Sequence, residues 1–240
     1  NALELNRYSE AWRRLGTALP RPSAILAVSA HWYSDGVALT AMERPRTIHD
    51  FYGFPRELYA MRYPAPGAPE LAARVAELLA PVEVRLDHGW GLDHGTWSVL
   101  AHLFPEADVP VVQLSLDARR PAAFHWDLGA ALAPLRDEGV LVLGSGNAVH
   151  NLHLVDFGMP GGFDWAVRFD EHVRAAVDGS DRDGLVEYLR HPDGRLAVPT
   201  PEHYLPLLYV AALRRGDEPV TTIVEGLEAG SLSMRAIQVG

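Results

Sequence analysis

The stretch Pro22–Gly36, PSAILAVSAHWYSDG, decides how the rest of the chain is read. Its run AILAV reads as a buried strand, which gives way through Ser29 and Ala30 to His31 and Trp32. In open α/β sheets ligands gather beyond the carboxyl ends of strands, so an imidazole just past such a strand is a candidate site residue. Two other places repeat the pattern. His150 follows the run VLVLGSGN (140–147) closely, in GSGNAVHNL. His203 falls in the first turn expected for a helix over 200–216, capped by Thr200, entered by Pro201 and stopped by Gly216. A helix N-terminus disfavours a protonated imidazole, and the neutral ring is the form that binds divalent metal. Each residue also has a plainer reading. A histidine after a strand can be a hydrogen-bonded loop residue, His203 can cap its helix, and GSGN can cradle a phosphate, although it lacks P-loop spacing.

Working outward, short apolar runs alternate with amphipathic ones. Helices are expected at 3–18, 69–80, 95–104, 121–139, 163–178, 183–190 and 200–216. Strands are expected at AILAVSA, 82–86, 109–116 and 140–147, with PVTTIVEG and SLSMRAIQV closing the chain as two more. Near-continuous apolar strands separated by helices predict an α/β fold, with a mostly parallel central sheet flanked by helices on both faces. No repeat or linker marks a boundary, so residues 1–240 are expected to form a single domain. The region 40–68 is too long for a simple connector, and its four prolines and several aromatics mark it as functional. It carries His49-Asp50 in TIHDFYGFP, close to Tyr52, where aromatics could line a ring-binding pocket. Asp93-His94, in GWGLDHGTW, sits ahead of a helix and serves equally well as a proton-shuttling pair or as a helix cap. His102, His125, His153, His172 and His191 read as structural or solvated.

Composition narrows the classes of function. The 240 residues are 48% hydrophobic and 22% charged, ordinary for a globular chain. With no cysteine there are no disulfides, no thiolate metal sites and no cysteine nucleophile, which fits a reducing, cytoplasmic setting. The formal charge of −10 and the lack of a basic cluster argue against nucleic acid, and no apolar stretch has the length of a membrane span. Ser145 lacks a GxSxG elbow, and no HExxH occurs.

Taken together, VSAHW, TIHDFYGFP, YPAPG, GLDHGTW, GSGNAVHNL, PTPEHYLPLLY and GSLSM resemble the class III extradiol ring-cleavage dioxygenases, most closely the 4,5-DOPA dioxygenase branch. The resemblance runs in order over nearly the whole chain. It implies a non-haem Fe(II) enzyme that opens a catechol with O2, and a site that can also hold Zn(II). It implies metal ligation by His31 and His203. His150 would be the acid/base, or a third ligand when zinc is bound, and His94 would hold substrate or oxygen. His49, Asp50 and Tyr52 would belong to the wall that receives the ring. The family's further ligand histidine lies in an HGSPM-like motif after a first strand, so that strand and motif are expected upstream of Asn1. A facial set of few ligands leaves room on one ion for both catecholate and O2. A zinc hydrolase or amidase, or a non-catalytic binding protein on the same fold, are the alternatives. Oligomeric state is not readable from the sequence.

Overall fold

The computed structural model describes residues 3–240; the expected motif upstream of Asn1 lies outside them. The elements run α1 (Arg7–Ala18), β1 (Ala24–Ser34), β2 (Val37–Thr40), α2 (Arg56–Ala60), α3 (Pro69–Leu78), β3 (Val84–Asp87), α4 (His94–Leu103) and β4 (Val111–Asp117). They continue with α5 (Ala122–Ala131), α6 (Pro134–Asp137), β5 (Val140–Ser145), α7 (Asp164–Asp178), α8 (Arg182–Val186), α9 (Gly194–Ala197) and α10 (Leu205–Ala211). The chain closes with β6 (Val220–Val224), β7 (Leu227–Glu228), β8 (Leu232–Ser233) and β9 (Ala236–Val239). By internal contacts it divides into two compact units, one of residues 1–119 with 131–145, the other of residues 120–130 with 146–240.

The first unit holds the central sheet, ordered β3-β2-β4-β1-β5. β1 runs parallel to β4 and β5, and β2 parallel to β3; only β2 against β4 is antiparallel. The expected mostly parallel α/β sheet is borne out. Every residue from Ala24 to Ala30 is buried. Successive strand side chains point to opposite faces, so both faces of β1 are covered. On one face Ile25, Ala27 and Val111 pack with Trp97, Leu100 and Leu103 of α4.

The second unit packs α7 against α8 and α9. A Cβ on Gly129 of α5 would lie 2.6 Å from the Tyr209 Cα, so only glycine lets α5 approach α10 this closely. The C-terminal strands pair antiparallel with one another, β6 with β9 and β7 with β8.

Several boundaries differ from expectation. β1 extends to Ser34, so His31 lies within the strand rather than past its end. β2 was not expected. The helix over 121–139 is two, because a proline at 134 cannot continue the hydrogen bonding of α5. The stretch 183–190 is α8 followed by a short 3₁₀ turn at Tyr188–Arg190. The helix over 200–216 shrinks to α10, with Pro206 in its first turn, which leaves His203 in the preceding loop. The helix-terminus argument for a neutral His203 therefore lapses.

Candidate active site

His31 is aimed by an irregularity in β1. The β1–β4 register runs evenly to Val28↔Leu114, then resumes at Tyr33↔Leu116, so β1 spends five residues where β4 spends two. Pairing with β5 ends at Ser29↔Ser145. Such bulges re-aim side chains, and this one frees His31 from the strand's alternation. Gly95 fits beneath it: a Cβ there would lie 2.6 Å from the Ser29 Oγ and 2.9 Å from the His31 Cδ2.

A second segment is stitched alongside. Leu92 N–H donates to Arg46 O at 2.8 Å, Ile48 N–H to Leu92 O at 2.7 Å, and the Trp97 indole to Ile48 O at 2.7 Å. A Cβ on Gly91 would lie 2.3 Å from the Arg46 carbonyl oxygen, so the close approach requires glycine. These bonds bring Asp50 to the start of α4. Its Oδ1 accepts the His94 backbone N–H at 2.9 Å and lies 3.1 Å from His94 Nδ1; its Oδ2 lies 3.2 Å from His31 Nδ1. His94 Nδ1 is buried and stands at ion-pair distance from Oδ1 without completing a hydrogen bond. The two imidazoles sit 3.9 Å apart, centroid to centroid. Burial would raise the Asp50 carboxyl, but hydrogen bonds from His31 and His94 outweigh it and hold the group well below the usual carboxylate range.

Below this cluster lies a closed polar network. Asp93 caps α4, its Oδ1 accepting from Thr96 N–H at 3.0 Å and from the Ser29 hydroxyl at 2.8 Å, while Oδ2 accepts from Gln113 Nε2. Gln113 Oε1 in turn accepts the Asp93 N–H at 3.2 Å and the Thr96 hydroxyl at 3.0 Å. Of the two readings of Asp93-His94, the cap is realised for Asp93. Sequence reasoning missed Ser29 and Gln113, because their partners are distant in the chain.

The second unit carries its own histidine pair. His150 and His203 stack at 3.5 Å and 7°. His203 Nδ1 lies 3.2 Å from Asn147 Oδ1, and Asn147 Nδ2 donates to Ser233 O at 2.6 Å, which fixes the amide so that its oxygen faces the ring. A Cβ on Gly146 would lie 2.1 Å from His203 O, and Asn147 N–H donates to that same carbonyl at 2.8 Å. The glycine of GSGN thus serves this backbone approach. Asn147 was likewise not singled out from sequence.

The remaining expected site residues differ. His49 Nε2 lies 3.0 Å from Met61 O, with its ring against Phe51 and Trp97. Tyr52 is 93% exposed, while its neighbour Phe51 is buried against Tyr59 and His94. His125 is buried beside Tyr209, its Nδ1 3.0 Å from the phenol oxygen, and His102 is buried as well.

One ligand atom each from His31, Asp50 and His94 lies within 4.8 Å of the others. Imidazole and carboxylate are donor types that a divalent first-row metal accepts, so the cluster is compatible with an ion held beside His31. Over residues 4–227 the chain matches the family model described as the catalytic LigB subunit of aromatic ring-opening dioxygenase, and it belongs to that family. Its class is therefore an extradiol ring-opening dioxygenase, non-haem and metal-dependent, acting on an aromatic substrate and O2.

Its relatives carry a narrower name. The 4,5-DOPA dioxygenase extradiol of Escherichia coli (strain K12) is 53% identical over 245 residues, covering 100% of this chain and 90% of that protein. The protein of the same name from Beta vulgaris is 39% identical over 230 residues, covering 94% and 85%. A crystal structure of an uncharacterized protein from Escherichia coli K12 matches with a TM-score of 0.87 at 48% identity, covering 99% of this chain and 94% of that one. No helix among the described residues is long and apolar enough to cross a membrane.

Proposed function

We propose that this chain opens the ring of a catechol such as L-DOPA at a bond beside the two hydroxyls, with Fe(II) as the working metal and Zn(II) as an ion the same donors accept. Membership of this family carries the reading, and the meeting of His31 with the Asp50 carboxylate and the His94 ring supports a metal site beside His31. The 4,5-DOPA dioxygenase names of its relatives supply the substrate class. Neither a hydrolase nor a non-catalytic binding role draws support from those relatives.

The reaction is a four-electron oxidation. One ring C–C bond breaks, both atoms of O2 enter the product, and the cut carbons become a carboxylate and an aldehyde. A bound metal supplies the electronic contact between catecholate and O2, which react poorly with each other alone. In this proposal His31 and His203 are ligands. His150 takes the second catechol proton and returns it when the O–O bond breaks; with zinc it is a third ligand. One histidine can serve both steps when its pKa lies near the working pH. His94 holds substrate or oxygen, while His49 and Tyr52 with their aromatic neighbours in 49–63 receive the ring.

The test starts from protein loaded with Fe(II) without air and given L-DOPA. Admitting oxygen should produce a yellow ring-opened semialdehyde. His150→Ala should lower turnover by about 10²-fold or more while metal content is kept. His31→Ala and His203→Ala should each lose metal. Undiminished turnover in His150→Ala would remove its assigned role.

A further inference from the structure

We propose that Asp50 is a positioning residue, a carboxylate that orients His31 and anchors His94, rather than a substrate contact or a metal ligand. The proposal rests on the reading of His31 as a ligand. Both Asp50 oxygens are engaged by the protein. Oδ2 faces His31 Nδ1 at 3.2 Å, and Oδ1 takes the His94 backbone N–H at 2.9 Å. The two nitrogens of an imidazole point to different sides of the ring. Placing Nδ1–H on a carboxylate therefore fixes the tautomer and turns Nε2 to the opposite side. The strand bulge lets His31 leave the strand's alternation, and Asp50 gives the freed ring a direction. The backbone bond to His94 ties the first residue of α4 to the same carboxylate, which holds the two rings together at 3.9 Å.

The substitution Asp50→Asn keeps the shape but offers one acceptor oxygen and one NH2 donor, so it cannot accept from both histidines. Zn(II) titration of the full-length apoprotein should show affinity for Asp50→Asn and Asp50→Ala reduced by about 10–100-fold, with Asp50→Glu partly restored. At saturating Fe(II), kcat should fall while KM for L-DOPA stays within about twofold. In the unsubstituted apoprotein, ¹⁵N-resolved imidazole NMR should find the His31 proton on Nδ1, a readout that needs no variant to fold.

Unchanged Zn(II) affinity in Asp50→Ala, or a His31 proton on Nε2, would overturn the proposal. So would loss of metal as complete as in His31→Ala, which would make Asp50 a ligand, or a rise in KM alone, which would make it a substrate contact. If the unsubstituted enzyme opens no catechol, the functional reading fails, yet the Zn(II) affinities and the tautomer still decide the role of Asp50.

Discussion

At the scale of single residues, Asp93 shows how much of this site is held from beneath. It is fully buried, and burial pushes its carboxyl up while the Ser29 hydroxyl and the Thr96 N–H pull it down. Every partner is a donor. An amide at this position must set an NH2 against the Gln113 Nε2 in one orientation, or against the Thr96 N–H in the other. The near-isosteric Asp93→Asn should therefore destabilise the protein by roughly 1–3 kcal/mol, the cost of an unsatisfied buried group. Adding Gln113→Glu turns the second partner into an acceptor and should recover more than half of that loss. Urea denaturation of the two single variants and the double one measures the coupling. Additive losses would show that the network does not work as drawn. From sequence, Asp93 is visible as a possible cap because Asp93-His94 sits ahead of an expected helix. Gln113 was invisible, since nothing local distinguishes it from any other polar residue in a strand.

At the scale of elements, the interval between β1 and α4 is set by a missing side chain. Helix propensity alone says that Gly95→Ala should stabilise α4 by about 1 kcal/mol. The contacts of its Cβ with Ser29 and His31 say the reverse, because overpacking costs roughly 1–3 kcal/mol. A lowered melting temperature together with weaker metal binding is expected; a raised one would contradict the close approach. Asp117, the last residue of β4, accepts from Arg119 N–H at 3.0 Å and Gly36 N–H at 3.2 Å. Burial opposes its ionisation, but these bonds and Arg119 hold the carboxyl below its usual range. A depressed pKa gives stability that is present above the unfolded value near ~3.9 and lost as pH falls through the folded one. Asp117→Asn should therefore be less stable than the parent at pH 7, with the gap closing in urea titrations as pH falls below the unfolded value and through the lower folded one. Apolar periodicity made most helices and buried strands legible. It misplaced the end of β1, because a bulge leaves no trace in hydropathy, and it lengthened α10, because Pro201 and Thr200 imitate a helix start.

At the scale of the whole molecule, the histidines expected at the site fall into clusters in both compact units. His31, Asp50 and His94 meet in the first, and Asn147, His150 and His203 in the second. The central sheet apart from β2 follows from the apolar runs, and the family follows from the quoted motifs, with the family model matching residues 4–227. Each histidine was singled out from sequence; the residues that orient them largely were not. An orienting carboxylate or amide is chosen by where its segment folds back, which is a tertiary fact. Thus Asn147 read only as part of a glycine-rich turn.

Extradiol ring opening is tested most directly by following the oxygen atoms. Fe(II)-loaded protein is mixed with L-DOPA without air, exposed to ¹⁸O2, quenched quickly and examined by mass spectrometry. The account predicts a ring-opened product whose single new carboxylate carries one labelled oxygen. Intact catechol, label in two carboxylates, or a carboxylate oxygen drawn from water would contradict it.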